Sequence, residues 1–367
     1  HAMMSPSQPL VVLSSYGVRT WQDRPRRYLD IHPMPQEGRA LVDAWFESDD
    51  EVTKHYHLRP RGNAARLLQA FRLLWAGRHA LRGARFIYCL DGLHFSALLT
   101  LARAGFFKTG GMTIRRHCFH DRAVRRIAPL LRHAPQAFQI ECITRQQCAA
   151  GASLVGEDRL VFRPWKIDTR WYQPDATPQD GASLLAGNAC RDEAMVDGLL
   201  ARGIAVTRAG RADALQRRFT SHQGNPLFTL ALNTPHPGYL RLLRASRAVL
   251  LPVLPCDEPA GLTAAMEALA CEVPVLANRS MGIAELFESC RYPLPLIGSL
   301  EPDAWSAALQ DLEAQKSSTA FRQALAASRQ RLLDRHAILP DGRDWLEILA
   351  GAASPAASPA AAALQPA

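Results

Sequence analysis

Short apolar runs recur along this chain, each followed by a stretch with apolar residues at helical spacing. Leu10–Ser14, Phe86–Leu90, Met112–Arg116, Gln139–Thr144 and Leu160–Phe162 read as strands, and Ala64–Leu81, Phe95–Ala104 and Ala123–Arg132 as helices. The pattern restarts after Asp180. Ser183–Ala186, Ala205–Arg208, Phe228–Leu232, Ala248–Leu254 and Pro274–Ala277 are the strands there; Glu193–Ala201, Pro237–Ser246, Leu262–Cys271 and Trp305–Leu333 are the helices. Alternation of this kind predicts parallel βαβ units. Arg163–Asp180, with Pro164, Pro174 and Pro178, separates the two halves. The expected fold class is α/β: two facing Rossmann-like domains, residues 10–165 and 166–335, with a central cleft. A helical segment 336–351 and a disordered tail 352–367, mostly Ala, Ser and Pro, follow. Such domains place ligands in the crevice beyond the carboxyl ends of their strands.

Composition agrees with two packed cores: 48% of the 367 residues are hydrophobic and 21% charged. No apolar run approaches the roughly 18 residues of a membrane span. The start, HAMMSPSQP, lacks the charged and apolar regions of a secretory leader, so a cytoplasmic location is expected. The eight cysteines form no CxxC pair, which favours free buried thiols over zinc or a disulfide framework. Charge is divided unevenly. Residues 1–150 hold 22 Lys+Arg against 11 Asp+Glu; residues 151–367 hold 21 against 23. The first half is therefore a basic module that attracts anions.

One segment concentrates the chemistry. In Ala248–Asn278 a buried strand, a turn, an almost wholly apolar helix and a second strand follow in order. Glu267 lies in the middle of that helix, where an unpaired carboxylate costs several kcal/mol, so a polar partner must face it. Thr263 is one turn earlier on the same face. Gly261 and Leu262 open the helix, where free N–H groups and the helix dipole favour an anion. Phosphate at Gly261–Thr263 with sugar hydroxyls at Glu267 forms one coherent nucleotide site. The alternative is that Glu267 pairs with a nearby cation such as Arg279.

Glu267-Ala268-Leu269-Ala270 and Glu272-Val273-Pro274-Val275-Leu276-Ala277 resemble the donor-binding signature of GT-B glycosyltransferases, especially the large retaining bacterial family. The resemblance implies that Glu267 holds ribose hydroxyls and that the Gly261–Thr263 turn receives the diphosphate of a nucleotide-sugar. The family's second Glu, eight residues before the first, is Pro259 here, which leaves Glu258 as the candidate donor-sugar contact. Ile167-Asp168-Thr169-Arg170-Trp171-Tyr172-Gln173-Pro174 is similar to the family's interdomain run. Gly187 and Arg191 match the loop that opens the donor domain, with Asn188 where the family has a first Arg. Asn233 and Thr234 fall where the family contacts the base.

The first half carries weaker signals. Tyr16 and Gly17 follow the first strand and Asp91 follows the next, which makes them acceptor-side candidates. His117 and His120, after Met112–Arg116, fall where many family members carry a histidine beside the donor sugar, and they are the catalytic candidates with Glu258. The two histidines lack a third ligand at metal spacing, and neither a metal nor a cofactor is expected. Arginines between apolar residues in Arg61–Arg85 and Arg115–Arg132 suit an anionic membrane surface, peripheral to the cytoplasmic membrane, or a solvated helix face. Nucleic acid is disfavoured, because no stacking platform accompanies the charge. The implied reaction is metal-independent transfer of a sugar from a nucleotide-sugar to a glycan or lipid-linked hydroxyl, with retention, in polysaccharide or lipopolysaccharide synthesis. A nucleotide-sugar epimerase or phosphorylase, or a non-catalytic binding protein on the same scaffold, are the alternatives.

Overall fold

The structure is a computed structural model, described here for residues 10–14, 39–42, 62–90, 92–118 and 121–338. Its strands are β1 (Leu10–Ser14), β2 (Arg39–Val42), β3 (Phe86–Cys89), β4 (Thr113–Cys118), β5 (Phe138–Cys142), β6 (Leu160–Phe162), β7 (Ser183–Ala186), β8 (Val206–Gly210), β9 (Phe228–Leu232), β10 (Val249–Leu251) and β11 (Val275–Ala277). The first-half helices are α1 (Asn63–Ala76), α2 (Arg78–Gly83), α3 (Gly92–Arg103), α4 (Asp121–Leu131) and α5 (Arg145–Val155). Those of the second half are α6 (Ala194–Leu200), α7 (Ala212–Leu215), α8 (His236–Ala245), α9 (Leu262–Ala270), α10 (Ile283–Cys290), α11 (Pro302–Gln315) and α12 (Thr319–His336).

Two parallel sheets result, in the orders β2-β1-β3-β4-β5-β6 and β11-β10-β7-β8-β9. Both are Rossmann-like, as the alternating pattern predicted. The apolar runs make such strands because both faces of each sheet are covered: β3, β7 and β10 are buried along their whole length. Several element bounds differ from the sequence reading. β2 was not anticipated, since four residues carry no periodicity. The helix predicted over Ala64–Leu81 is two, divided at Gly77, and that over Trp305–Leu333 is divided before Ser318, whose hydroxyl caps α12 by accepting from Phe321 N at 3.1 Å.

The first sheet has unlike faces. Val11, Leu13, Ile87, Cys89, Ile114 and Cys118 point into an apolar core with α1, α3, α4 and α5. The alternate positions carry Tyr88, Arg115, His117 and Glu141, all buried. Register sets Tyr88 beside Arg115 and His117 beside Glu141. The Glu141 carboxylate accepts from the Tyr88 hydroxyl and from Arg163 Nε at 3.1 Å, and lies 3.2 Å from His117 Nδ1 and 3.7 Å from Arg115 Nη1. A fully buried carboxylate is thus met by two guanidiniums, which is the condition under which such a charge is tolerable.

Among the described residues the chain crosses between the halves at the segment after β6 and returns beside it at the end of α12. Ile167 donates to the His336 carbonyl at 2.7 Å and accepts from Ile338 N at 2.9 Å, which joins the crossover to the end of α12. Asp168, buried in that crossover, holds Arg170 by two side-chain bonds of 3.0 and 2.9 Å. On the other side of the junction the Glu285 carboxylate of α10 accepts the N–H of Arg145, at 2.9 and 3.1 Å, and so caps α5 across the two domains.

His336 makes the junction pH-sensitive. Its buried ring pairs through Nδ1 with the Trp165 carbonyl at 2.7 Å, and burial lowers its pKa to about 4. An unfolded histidine titrates near 6.5, so the fold favours the neutral ring. This contribution is fully present above about pH 6.5 and is lost as pH falls toward 4, a change of about 3 kcal/mol. The melting temperature of His336→Gln is expected to fall less than that of the wild type between pH 7 and pH 4.5. Parallel pH dependence of the two proteins would contradict the assignment.

Candidate functional site

In the second sheet the strand order reverses between β7 and β10, and the crevice at that switch point is where ligands bind in folds of this class. The loops leaving these two strands are cross-linked by backbone. Leu254 N donates to Cys190 O at 2.8 Å, Asp192 N to Pro252 O at 2.9 Å, and Arg191 and Val253 form an antiparallel bridge.

Arg191 occupies the floor of this crevice. Its Nε donates to Ala186 O at 2.7 Å and its Nη1 to Ala189 O at 2.8 Å, so the loop curls around its own guanidinium. Gly187, at φ +93°, lets it do so: a Cβ there would stand 2.5 Å from Arg191 Nη2. The same guanidinium reaches the start of α9. Gly261, the left-handed N-cap at φ +86°, has its Cβ direction 3.7 Å from Arg191 Nη1 and 2.9 Å from Ile283 Cδ1. Burial, and next the neighbouring Arg208, lower the Arg191 pKa to about 10, which leaves it cationic at neutral pH. A buried cation and the positive end of α9 therefore converge on one point.

On α9 every residue but Thr263 and Glu267 is buried, and these two are one turn apart on the open stripe. Glu267 is half-buried. Its Oε2 accepts from the Tyr239 hydroxyl at 3.0 Å, and the Tyr172 phenol lies close enough for the carboxylate to raise it. Burial first, and Glu267 next, push both phenols well above their ordinary range, so they stay protonated as donors. The polar partners demanded by Glu267 thus include two tyrosines; Arg279 lies exposed beside a separate cavity of about 750 Å³ that it lines with Arg145, Glu285, Arg291 and Tyr292.

Asn188 and Asn233 act as latches. Asn188 Oδ1 accepts from Arg211 N at 2.8 Å and Asn233 Oδ1 from Ala212 N at 3.1 Å, so both hold the start of α7, with Asn233 itself at φ +47°. Thr234, next to Asn233, is half-buried against Gly238. Glu258 accepts at Oε1 from Cys190 Sγ, 3.3 Å away, and its carbonyl accepts from Cys256 Sγ at 3.4 Å. Gly187, Arg191, Glu258, Gly261, Leu262, Thr263 and Glu267 are therefore on loops and one helix around a single crevice.

His117 differs from expectation. β4 continues through Cys118, so His117 is a strand residue and not part of a polar loop. Its side chain is fully buried because Glu141, opposite in register, supplies an interior partner. Tyr16, Gly17, Asp91 and His120 lie outside the described residues. Six polar residues of these clusters are not marked as such by the sequence: Tyr88, Glu141, Arg163, Tyr172, Arg208 and Tyr239. Arg208, wholly buried, forks onto Glu193 at 2.5 and 2.8 Å beneath the Gly187 loop. Tyr172 alone carried a signal, as part of the interdomain run.

Solved structures match almost the whole chain. Sucrose-phosphate synthase from Thermosynechococcus elongatus superposes with TM-score 0.66 at 15% identity, covering 94% of this chain and all of that one. A trehalose-6-phosphate synthase, described in terms of glycosyl transfer with retention, gives 0.59 at 12% identity over 94% and 99%. The catalytic domain of starch synthase IV from Arabidopsis thaliana, bound to ADP and acarbose, gives 0.56 at 11% identity over 78% and 77%. No protein-family model and no curated protein matches the chain by sequence. The fold is GT-B: two Rossmann-like domains facing a cleft.

Proposed function

We propose that the protein is a glycosyltransferase that moves a sugar from a nucleoside-diphosphate donor to a hydroxyl of a glycan or lipid-linked acceptor, with retention and without a metal ion. One observation carries the reading: the Arg191 guanidinium meets the N-terminus of α9 at Gly261, one turn before the open stripe that ends in Glu267. Departure of a nucleoside diphosphate develops negative charge, and a fixed cation with free backbone N–H groups is what stabilises it. Glu267, which accepts from Tyr239 beside Tyr172, would accept from ribose hydroxyls. Asn233 and Thr234 would face the base, and Glu258 the donor sugar. Retention rests on the likeness to a structural relative described in those terms.

A panel of nucleoside diphosphates in a thermal-shift assay tests this, because a ligand of the folded state alone must raise the melting temperature. One diphosphate is expected to stabilise the wild type, and Glu267→Ala to abolish the shift. Equal shifts in both proteins would reject the role of Glu267.

The acceptor is proposed to arrive on an anionic membrane. Residues 62–136 contain 13 Lys+Arg and two Asp. On α1 the exposed Leu68, Arg72 and Trp75 share one face, Trp75 being 72% exposed, and Arg78 stacks over its ring at 4.9 Å. An aromatic set among cations suits a lipid headgroup region. Among the described residues no helix is long and apolar enough to cross a membrane. The wild type is expected to sediment with phosphatidylglycerol vesicles at low salt, and Trp75→Glu to lose about tenfold in that binding. Unchanged sedimentation of the variant would remove this face from the proposal.

A further inference from the structure

We infer that Cys190 and Cys256 are an oxidisable pair: a low-molecular-weight disulfide, such as glutathione disulfide, converts them to a Cys190–Cys256 bridge that fastens together the two loops of the crevice. The two thiols come from different loops yet meet on one residue. Cys190 Sγ donates to the Glu258 carboxylate at 3.3 Å, and Cys256 Sγ to the Glu258 carbonyl at 3.4 Å. Cys256 is also among the neighbours that raise the Cys190 thiol. Their backbones are already tied, since Leu254 N donates to Cys190 O, two residues before Cys256. Both side chains are half-buried, whereas Cys89, Cys118, Cys142, Cys271 and Cys290 are buried. A small disulfide therefore has access to this pair and not to those five.

The exchange balances without further reagents. Burial pushes the Cys190 thiol up to about 12, which makes it a poor first nucleophile, and the first attack is assigned to Cys256. The Cys256 thiolate attacks one sulfur of the small disulfide, its S–S bond breaks, and one small thiol leaves with a solvent proton. Cys190 then attacks the Cys256 sulfur, passing its proton to Glu258 Oε1; the mixed disulfide's S–S bond breaks, and the second small thiol leaves with that proton. Two protein thiols and one disulfide become one protein disulfide and two small thiols. The product fixes the Gly187–Arg191 loop to the segment before Gly261 and takes from Glu258 the Cys190 thiol that holds it. The bridge does not depend on the donor-site reading; only its effect on nucleotide binding does.

The test is to oxidise the full chain with glutathione disulfide and map its peptides without reduction, then compare amide exchange of residues 187–191 and 254–261 before and after. The expected result is a Cys190–Cys256 cross-link, at least tenfold slower exchange in both loops, and reversal by dithiothreitol. Cys190→Ala and Cys256→Ala, each shown folded by circular dichroism, should give neither. A bridge to Cys148, glutathione stopped on a single cysteine, or unchanged loop exchange overturns the inference. Affinities for the same panel of nucleoside diphosphates, measured on the same samples, separate the two readings. If no nucleotide of the panel binds the reduced protein, the donor site falls while cross-link and exchange still decide the pair. If one binds, its affinity should drop at least tenfold on oxidation, and an unchanged affinity would overturn the claim that the bridge closes the crevice.

Discussion

Glu141→Ala is expected to remove about 3–5 kcal/mol of stability, because the substitution strands buried cations. Arg115 and Glu141 have no exposed side-chain surface, and Arg163 has little. Burial already lowers the Arg115 pKa, with Glu141 the first influence that opposes it. Without the carboxylate, two guanidiniums face the interior of the first sheet together, and the Tyr88 hydroxyl and His117 lose the same acceptor. For a chain of this size the loss should lower the melting temperature by roughly 10 °C in the transition that reports the first domain. Glu141→Gln keeps an acceptor for Tyr88 but no charge, so it should recover only part of the deficit. An exposed pair is the control. Arg202 and Asp303 bond at 2.7 Å, but Asp303 is exposed, and Asp303→Ala should melt with the wild type. A Glu141→Ala protein that melts with the wild type would show that the cluster is solvated and carries little of the fold.

That cluster also marks what the sequence could not convey. Apart from β2, the strands of both sheets are legible because continuous apolar runs bounded by turn residues are what a sheet buried on two faces requires. Tyr88, Arg115, His117 and Glu141 sit inside such runs as isolated polar positions. Which of them meet depends on β3, β4 and β5 being neighbours in a fixed register, and no local pattern states that. The end of β4 is hidden for the same reason, since His117 looks like the start of a loop until its partner on β5 is known.

The crevice was more legible because most of it is local. Gly261, Thr263 and Glu267 belong to one turn and one helix, and an acid in a helix otherwise apolar announces a need for partners. The partners themselves were hidden. Tyr239 stands on α8, beyond β9, and Tyr172 on the interdomain run, so both reach Glu267 only through tertiary packing. Asn188 reads as a missing cation in the sequence; in the structure it has a task of its own, holding Arg211 N.

Arg191→Ala carries the largest expected effect on the proposed reaction. The guanidinium is buried, bonded to two carbonyls of its own loop, and packed between Gly187 and Gly261. If the diphosphate lies at the start of α9, this is the fixed charge nearest to it, and removing one such donor slows a step that develops an anion by about 10²–10³-fold. The loss should appear mainly in kcat, because negative charge on the leaving group grows between bound donor and transition state. The substitution also empties a space and leaves the carbonyls of Ala186 and Ala189 without a donor, at about 1–3 kcal/mol of stability. Arg191→Lys separates the two roles. An ammonium keeps charge but cannot bond both carbonyls in a fork, so it should restore part of the rate and little of the stability. Rates are to be read at a temperature where each variant is shown to be folded. A folded Arg191→Ala protein with wild-type kcat would remove this side chain from the donor site, and with it the convergence on Gly261 from which the transferase reading was drawn.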